Sequence, residues 1–334
     1  MIAHATPVTV ITGFLGSGKT TLINRILGEA HGRRFAVIEN EYGAVDVDSE
    51  LLVKERGEIV VQLTNGCVCC TVRGDLANAL HALGRRRDAG EIEFDHVLIE
   101  PTGLADPGPI VRTFMAETEL LARFFLDGVV TLFDGLHGRR SWAESGEAQA
   151  QLALADRVLV TKADLLAARG AGAVEEVVDF VHAANAVAEV APIDLVHADW
   201  GELFDGLLDL RGYQFDRVAC APAPRQPAHL REVGTVIFEA ATPLDGIRLN
   251  QALAAINARY GESLWRLKGV LAIEGMRARV VVQGVQGLLQ ANPATLWRPF
   301  EPKTSRLVLI GRALDHDWIL SRLRDALAEA GGTG

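Results

Sequence analysis

Unbroken apolar runs recur along the first two-thirds of the chain, separated by amphipathic or turn-forming stretches. Val8–Thr12, Phe35–Glu39, Ile59–Leu63, Val97–Glu100, Gly128–Phe133 and Arg157–Thr161 predict strands buried on both faces, because a strand with one wet face alternates apolar and polar positions. Helices are predicted from about Lys19 to Glu29 and over Asp75–Leu83, Glu147–Ala155 and Ala173–Ala186. Short apolar strands alternating with helices imply an α/β fold, a mostly parallel sheet with helices on both faces. The charge run Arg85-Arg-Arg87 predicts a solvated helix end.

The pattern changes at Ala221-Pro-Ala-Pro-Arg-Gln-Pro227, where clustered prolines and few apolar anchors predict a linker. Beyond it, strands are predicted over Val233–Phe238, Leu264–Glu274, Arg279–Gln286 and Arg306–Ile310. Helices are predicted over Ile247–Tyr260 and Asp315–Ala330, the second begun by an acidic cap and ended by Gly331-Gly332. The expected organisation is an α/β domain over residues 1–220, a linker over 221–228, and a smaller α+β domain with a mainly antiparallel sheet over 229–334.

Composition narrows the function classes. The chain has 334 residues, enough for about two domains at ~150 residues each. Its 49% hydrophobic and 23% charged content exclude a wholly disordered or fibrous chain. A net charge of −10 argues against nucleic acid or an anionic membrane as partner, so any phosphate must be held by a local device. No apolar run approaches the ~20 residues that span a bilayer, and the first residues lack the pattern of a secretory signal. A cytoplasmic protein is expected.

That local device is Gly13-Phe-Leu-Gly-Ser-Gly-Lys-Thr20, which matches G-x-x-x-x-G-K-[ST] between a predicted strand and helix. Gly13, Gly16, Ser17 and Gly18 turn the backbone so that its N–H groups and the helix N-terminus cradle phosphates. Lys19 is expected to reach the β- and γ-phosphates, Thr20 to ligate Mg²⁺ and Thr21 to contact the α-phosphate. Lysine is scarce in this arginine-rich chain, and Lys19 and Lys162 both fall in motifs where a compact point charge suits better than a planar fork.

Thr161-Lys-Ala-Asp164 follows a buried strand and is similar to the [NT]-K-x-D motif of P-loop GTPases. Asp164 can accept from guanine N1–H and N2–H₂, a donor pair that adenine lacks. The Lys162 stem would lie across the base. Thr161 stands where Asn is commoner, which weakens one expected anchoring contact. Val97-Leu-Ile-Glu-Pro-Thr-Gly103 ends another buried strand with Glu100, placed to hold Mg²⁺ through water, and Gly103, whose N–H could sense the γ-phosphate. Lys19, Thr20 and Glu100 are thus the predicted catalytic residues. No glutamine or arginine stands out as a water-positioning group or arginine finger, so slow hydrolysis is expected.

Asn65-Gly-Cys-Val-Cys-Cys70 gathers Cys67, Cys69 and Cys70, three soft ligands suited to Zn²⁺ or another borderline-soft divalent ion. A fourth ligand must come from elsewhere, and Glu39 and Glu41 in Glu39-Asn-Glu-Tyr-Gly43 are candidates. An incomplete ligand set fits an ion in transit better than a structural one. Cys220 and the scattered histidines form no readable site.

The combination resembles the CobW/YjiA family of P-loop GTPases across nearly the whole chain. The resemblance rests on Gly13–Thr21, Val37–Gly43, Leu63–Cys70, Ile99–Gly103 with Ala105–Ile110, and Thr161–Asp164, together with Arg266–Gly269, Gln283–Gln286 and Leu309–Gly311 in the second domain. It implies binding of GTP/GDP, slow Mg²⁺-dependent hydrolysis, and binding of Zn²⁺ (or Co²⁺ or Ni²⁺) near the cysteines. It further implies mutual influence of metal and nucleotide, delivery of metal to a client metalloprotein, and association into a homo-oligomer. Two departures stand out. Ala44 replaces the acidic residue that many members carry, and no His-rich stretch is present. The rival readings are a cobalt chaperone for cobalamin synthesis or nitrile hydratase maturation, a redox-sensing regulatory GTPase, and an ATP-dependent small-molecule kinase.

Overall fold

The structure, a computed structural model, describes residues 5–28, 32–40, 51–53, 59–63, 72–117, 119–197, 207–210 and 233–328. The predicted linker 221–228 and four predicted metal ligands, Glu41, Cys67, Cys69 and Cys70, lie outside the described residues. The chain forms two compact units.

The first unit is built on Thr6–Gly13 (β1), Phe35–Asn40 (β2), Leu51–Val53 (β3), Ile59–Leu63 (β4), His96–Glu100 (β5), Phe124–Asp134 (β6), Arg157–Thr161 (β7) and Glu189–Pro192 (β8). They make one sheet in the order β3-β4-β2-β5-β1-β6-β7-β8. Every pairing is parallel except β3 with β4. Consecutive residues of β1, β5, β6 and β7 are buried, as unalternated apolar runs require when both faces are covered.

The connecting helices include Lys19–Gly28 (α1), Val72–Asp88 (α2), Gly108–Ala116 (α3), Gly138–Glu144 (α4), Gly146–Leu154 (α5), Ala163–Ala167 (α6) and Ala173–Ala184 (α7). Leu22, Ile23 and Ile26 of α1 share a core with Ile11, Val37, Leu98, Val130 and Leu159 of the sheet. Each such side chain removed from water stabilises the fold by roughly 1.5–3 kcal/mol, and together they fix α1, and with it the loop that precedes it. Parallel strands all end on one side, so the C-terminal ends of β1, β2, β4, β5 and β7 lie along one side of the sheet.

A buried polar chain crosses the sheet interior. Thr9 Oγ1 donates to Asp127 Oδ2 at 3.2 Å and lies 2.8 Å from His96 Nε2. Asp127 also accepts from the Leu210 N–H at 3.0 Å. With its proton given to Asp127, the Thr9 hydroxyl accepts from His96, which is therefore the neutral Nε2–H tautomer. Nδ1 has no partner, and burial holds the His96 pKa at about 4.

The second unit contains Val233–Ala240 (β9), Gly246–Tyr260 (α8), Leu264–Leu271 (β10), Ala278–Val285 (β11), Leu288–Leu296 (β12), Ser305–Arg312 (β13) and His316–Arg324 (α9). Its antiparallel sheet runs β12-β11-β10-β13-β9. Leu249, Leu253 and Ile256 of α8 and Ile319 and Leu323 of α9 pack with Phe238, Leu267, Val282 and Leu307. Asp245 caps α8 by accepting from the Ile247 and Arg248 N–H groups, and Asp315 caps α9 by accepting from Trp318.

Two expectations need correction. The last helix ends at Arg324, well before Gly331-Gly332, because the chain turns so that Leu327 can bridge to Leu244. Arg87 is not a solvated helix-end residue. Its guanidinium lies 5.6 Å and 5.5 Å from the Phe94 and Phe124 ring centroids and donates to the Thr6 hydroxyl. No described helix is long and apolar enough to cross a membrane.

Candidate functional site

The loop between β1 and α1 wraps around its own lysine. Lys19 Nζ donates to the Gly13 carbonyl at 2.9 Å and lies 3.4 Å from that of Phe14. Burial pushes its pKa below the usual lysine range, and the Glu100 carboxylate pulls the other way. Gly13 is demanded by geometry: its φ is +145°, and a Cβ would stand 2.5 Å from the Leu132 carbonyl. Gly16, Ser17 and Gly18 complete the turn, with the Ser17 side chain buried and its Oγ unpartnered. Thr20 and Thr21 are exposed at the start of α1.

The Thr20 hydroxyl donates to Glu100 Oε1 at 3.2 Å, joining the phosphate loop to the end of β5. Three residues on, Gly103 presses against the same loop. A Cβ there would lie 3.0 Å from both the Leu15 nitrogen and Lys19 Nζ. A glycine-rich turn at a helix N-terminus, a hydroxyl and a carboxylate in hydrogen-bond contact, and a side-chain-free peptide beside the lysine could hold a nucleoside triphosphate with its ion.

The base motif sits at the end of β7. Thr161 makes an anchoring contact: its hydroxyl donates to the Ser17 carbonyl at 2.9 Å. A shorter side chain does the tethering because β7 brings it directly behind the phosphate loop. Lys162 has left-handed backbone (φ 58°, ψ 34°) and pairs through Nζ with Asp134. Burial raises the Asp134 pKa, but the Lys162 hydrogen bond and the N–H groups of Leu136 and His137 outweigh it, so the carboxyl sits below the ordinary range. Asp164 is exposed in the first turn of α6.

Sequence reasoning missed three contributors. Asp134, which orients Lys162, ends a buried strand just as Glu100 does, and that signal was available. The loop after β8 closes against α1: Arg25 donates to the Leu195 and Val196 carbonyls at 3.0 and 2.7 Å, and Leu195 Cδ1 lies 2.7 Å from where a Gly18 Cβ would be. Nothing in the local sequence marks it. Gln151 of α5 is 1% exposed and donates to the carbonyls of Gly103 and Ala105. A pair of amides, Gln149 and Gln151, among the alanines and leucines of α5 was its only sign.

Of the predicted zinc ligands, Glu39 alone is described. It is the penultimate residue of β2, in register with Glu100 of β5 and Gln62 of β4. Among the described residues no cluster of three His, Cys, Asp or Glu side chains could hold a metal.

The chain matches two family models, the CobW/HypB/UreG nucleotide-binding domain over residues 7–191 and the cobalamin synthesis protein cobW C-terminal domain over residues 233–327. It is 37% identical over 317 residues to the zinc chaperone YjiA of Escherichia coli K12, covering 93% of this chain and 96% of that one. It is 32% identical over 357 residues to the zinc chaperone CobW of Pseudomonas aeruginosa, covering 96% and 92%. The crystal structure of the Zn(II)-bound YjiA GTPase from E. coli matches with a TM-score of 0.79 at 32% identity, over 97% of this chain and 100% of that one. A Zn(II)-bound triple mutant of YjiA, with one glutamate and two cysteines changed to alanine, matches over the same shares at the same identity, with a TM-score of 0.80.

Proposed function

Because the chain belongs to the CobW/HypB/UreG family of nucleotide-binding proteins, we propose that it is a zinc chaperone whose GTP hydrolysis is coupled to metal binding and to transfer into a client metalloprotein. In this reading residues 1–220 form the GTPase domain, 221–228 the linker and 229–334 the C-terminal domain. Lys19, Thr20 and Glu100 serve the phosphates and Mg²⁺, with Gly13, Gly16, Ser17, Gly18, Thr21 and Gly103 around them. Thr161, Lys162 and Asp164 select guanine. Cys67, Cys69 and Cys70, with Glu39 or Glu41, hold the zinc cargo. Intrinsic turnover is slow in this reading, since no glutamine or arginine stands out in the sequence as a water-positioning group or arginine finger.

One observation carries the coupling: Glu39 and Glu100 are register partners on adjacent parallel strands. Side chains at such positions share a face about 4.8 Å apart. A zinc ligand at Glu39 therefore stands next to the carboxylate that accepts from Thr20. The neighbouring strand β4 ends at Leu63, in register with Asn40, and leads into the cysteine motif. Ions held at the two carboxylates would lie close enough to interact, so loss of the γ-phosphate would alter the grip on zinc.

The test is equilibrium dialysis with Zn²⁺ in the presence of GDP or a non-hydrolysable GTP analogue. The tightest zinc site should differ in affinity between the two states. Replacing Cys69 and Cys70 by serine should remove it. The Zn(II)-bound triple mutant of the relative makes a count of sites, rather than total zinc, the deciding quantity. Equal affinity in both nucleotide states, or an unchanged tightest site in the serine variant, would overturn the proposal.

A further inference from the structure

The loop that follows β5 is held from two sides. On one side stands the phosphate loop, through the Thr20–Glu100 hydrogen bond and the close approach of Gly103 to Leu15 and Lys19. On the other stands a single buried side chain, Gln151. Its Nε2 lies 3.1 Å from the Gly103 carbonyl and 2.9 Å from that of Ala105. A carboxamide nitrogen carries two N–H donors, and here each is spent on one carbonyl. The amide orientation follows from its partners, because carbonyls accept only from the nitrogen end.

Gln151 is itself fixed. It is 1% exposed, and its own carbonyl accepts from the Thr131 hydroxyl at 2.8 Å, tying α5 to β6. Its Oε1 has no partner, and the side chain lines a cavity of about 20 Å³ shared with Phe14, Leu15 and Asp134. An amide kept buried with one end unsatisfied is held by what its other end does. That end restrains the ψ of Gly103, a residue with no side chain of its own to restrain it.

We propose that Gln151 is the positioning residue that presets the Gly103 peptide for the terminal phosphate, and that it is thereby a determinant of GTP-over-GDP discrimination in this chain. It touches no nucleotide. It acts by holding the loop in place before binding, so that the Gly103 N–H does not have to be ordered at the cost of affinity. GDP lacks the group that this peptide serves, so GDP binding does not depend on the clamp. The inference rests on the nucleotide reading above, and the two fail separately: wild-type protein that binds neither nucleotide defeats the reading, not the role of Gln151 within it.

The experiment compares wild type with Gln151→Leu and Gln151→Glu, using fluorescent GDP and a fluorescent non-hydrolysable GTP analogue with Mg²⁺. Both variants lose the donor at nearly constant volume. GDP affinity should stay within about twofold, while affinity for the analogue and kcat for GTP should each fall about tenfold or more, the loss of two hydrogen bonds. A parallel fall for both nucleotides, or no fall for either, would overturn the proposal. Should neither variant fold, amide exchange on the wild-type protein decides. The amides of residues 102–106 should be protected in the GDP-bound state as well as with the analogue. Free exchange with GDP bound would show that the clamp does not preset the loop.

Discussion

Thr161 and Ser17, 144 residues apart, are joined by one hydrogen bond from hydroxyl to buried carbonyl at 2.9 Å. It ties the end of β7 to the phosphate loop, and so holds the proposed base-side motif against the proposed phosphate cradle. Thr161→Val keeps the shape and removes the donor. It should cost about 1–3 kcal/mol, because the Ser17 carbonyl is left buried without its partner, and it should speed GDP release. Thr161→Ser should restore most of both. Denaturant melts and a GDP chase would show this.

Asp164→Asn exchanges an acceptor pair for an acceptor and a donor. The guanine N1–H and N2–H₂ would lose a charged partner, at roughly 1.5–3 kcal/mol for each hydrogen bond, so GDP affinity should drop on the order of 10²- to 10⁴-fold. Xanthine nucleotides carry a carbonyl in place of the 2-amino group and should gain relative to guanine. Competition between GDP and XDP for the variant measures the swap, and an unchanged preference for guanine would remove Asp164 from base recognition.

Thr20→Val takes away the hydroxyl that bridges α1 to Glu100. Mg²⁺ should then no longer tighten triphosphate binding, and chelation with EDTA should change the affinity of the variant little while weakening wild type. GTP turnover should fall by roughly 10²-fold or more, the size of a lost electrostatic contact to the reacting phosphate.

His96 makes the fold sensitive to acid. Its folded-state pKa of about 4 lies below the unfolded value of 6.5. The unfolded chain therefore takes up a proton that the folded chain refuses, and stability falls as pH drops from about 6.5 towards 4. The full difference is about 3 kcal/mol, at 1.36 kcal/mol per pKa unit. His96→Gln should flatten that part of the profile, read by urea melts between pH 7 and pH 4.5, even if it lowers the stability at pH 7.

Much of the fold was legible because parallel strands buried on both faces leave unbroken apolar runs. Ile59–Leu63 and Arg157–Thr161 are found with the predicted bounds. Leu51–Val53 and Glu189–Pro192 escaped notice, being short strands at the two edges of the sheet. Leu288–Leu296 escaped because Asn292-Pro293 interrupts it, which an edge strand tolerates and a central one does not. In the site, motif residues declared themselves through spacing. Gln151, Arg25 and the loop after β8 did not, since their roles come from contacts between elements far apart in sequence. The Thr161 tether could not be judged from residue size alone, because its strength is set by where β7 ends.

Lys162 is a site residue whose backbone argues against its own identity. An L-residue in left-handed conformation gives up roughly 1–2 kcal/mol, which glycine would not. A redesign guided only by folding free energy would therefore write glycine at position 162 and obtain a firmer protein. It would also erase the ammonium that Asp134 holds. What occupies that corner answers to the ligand, so sturdiness and usefulness pull this position in opposite directions.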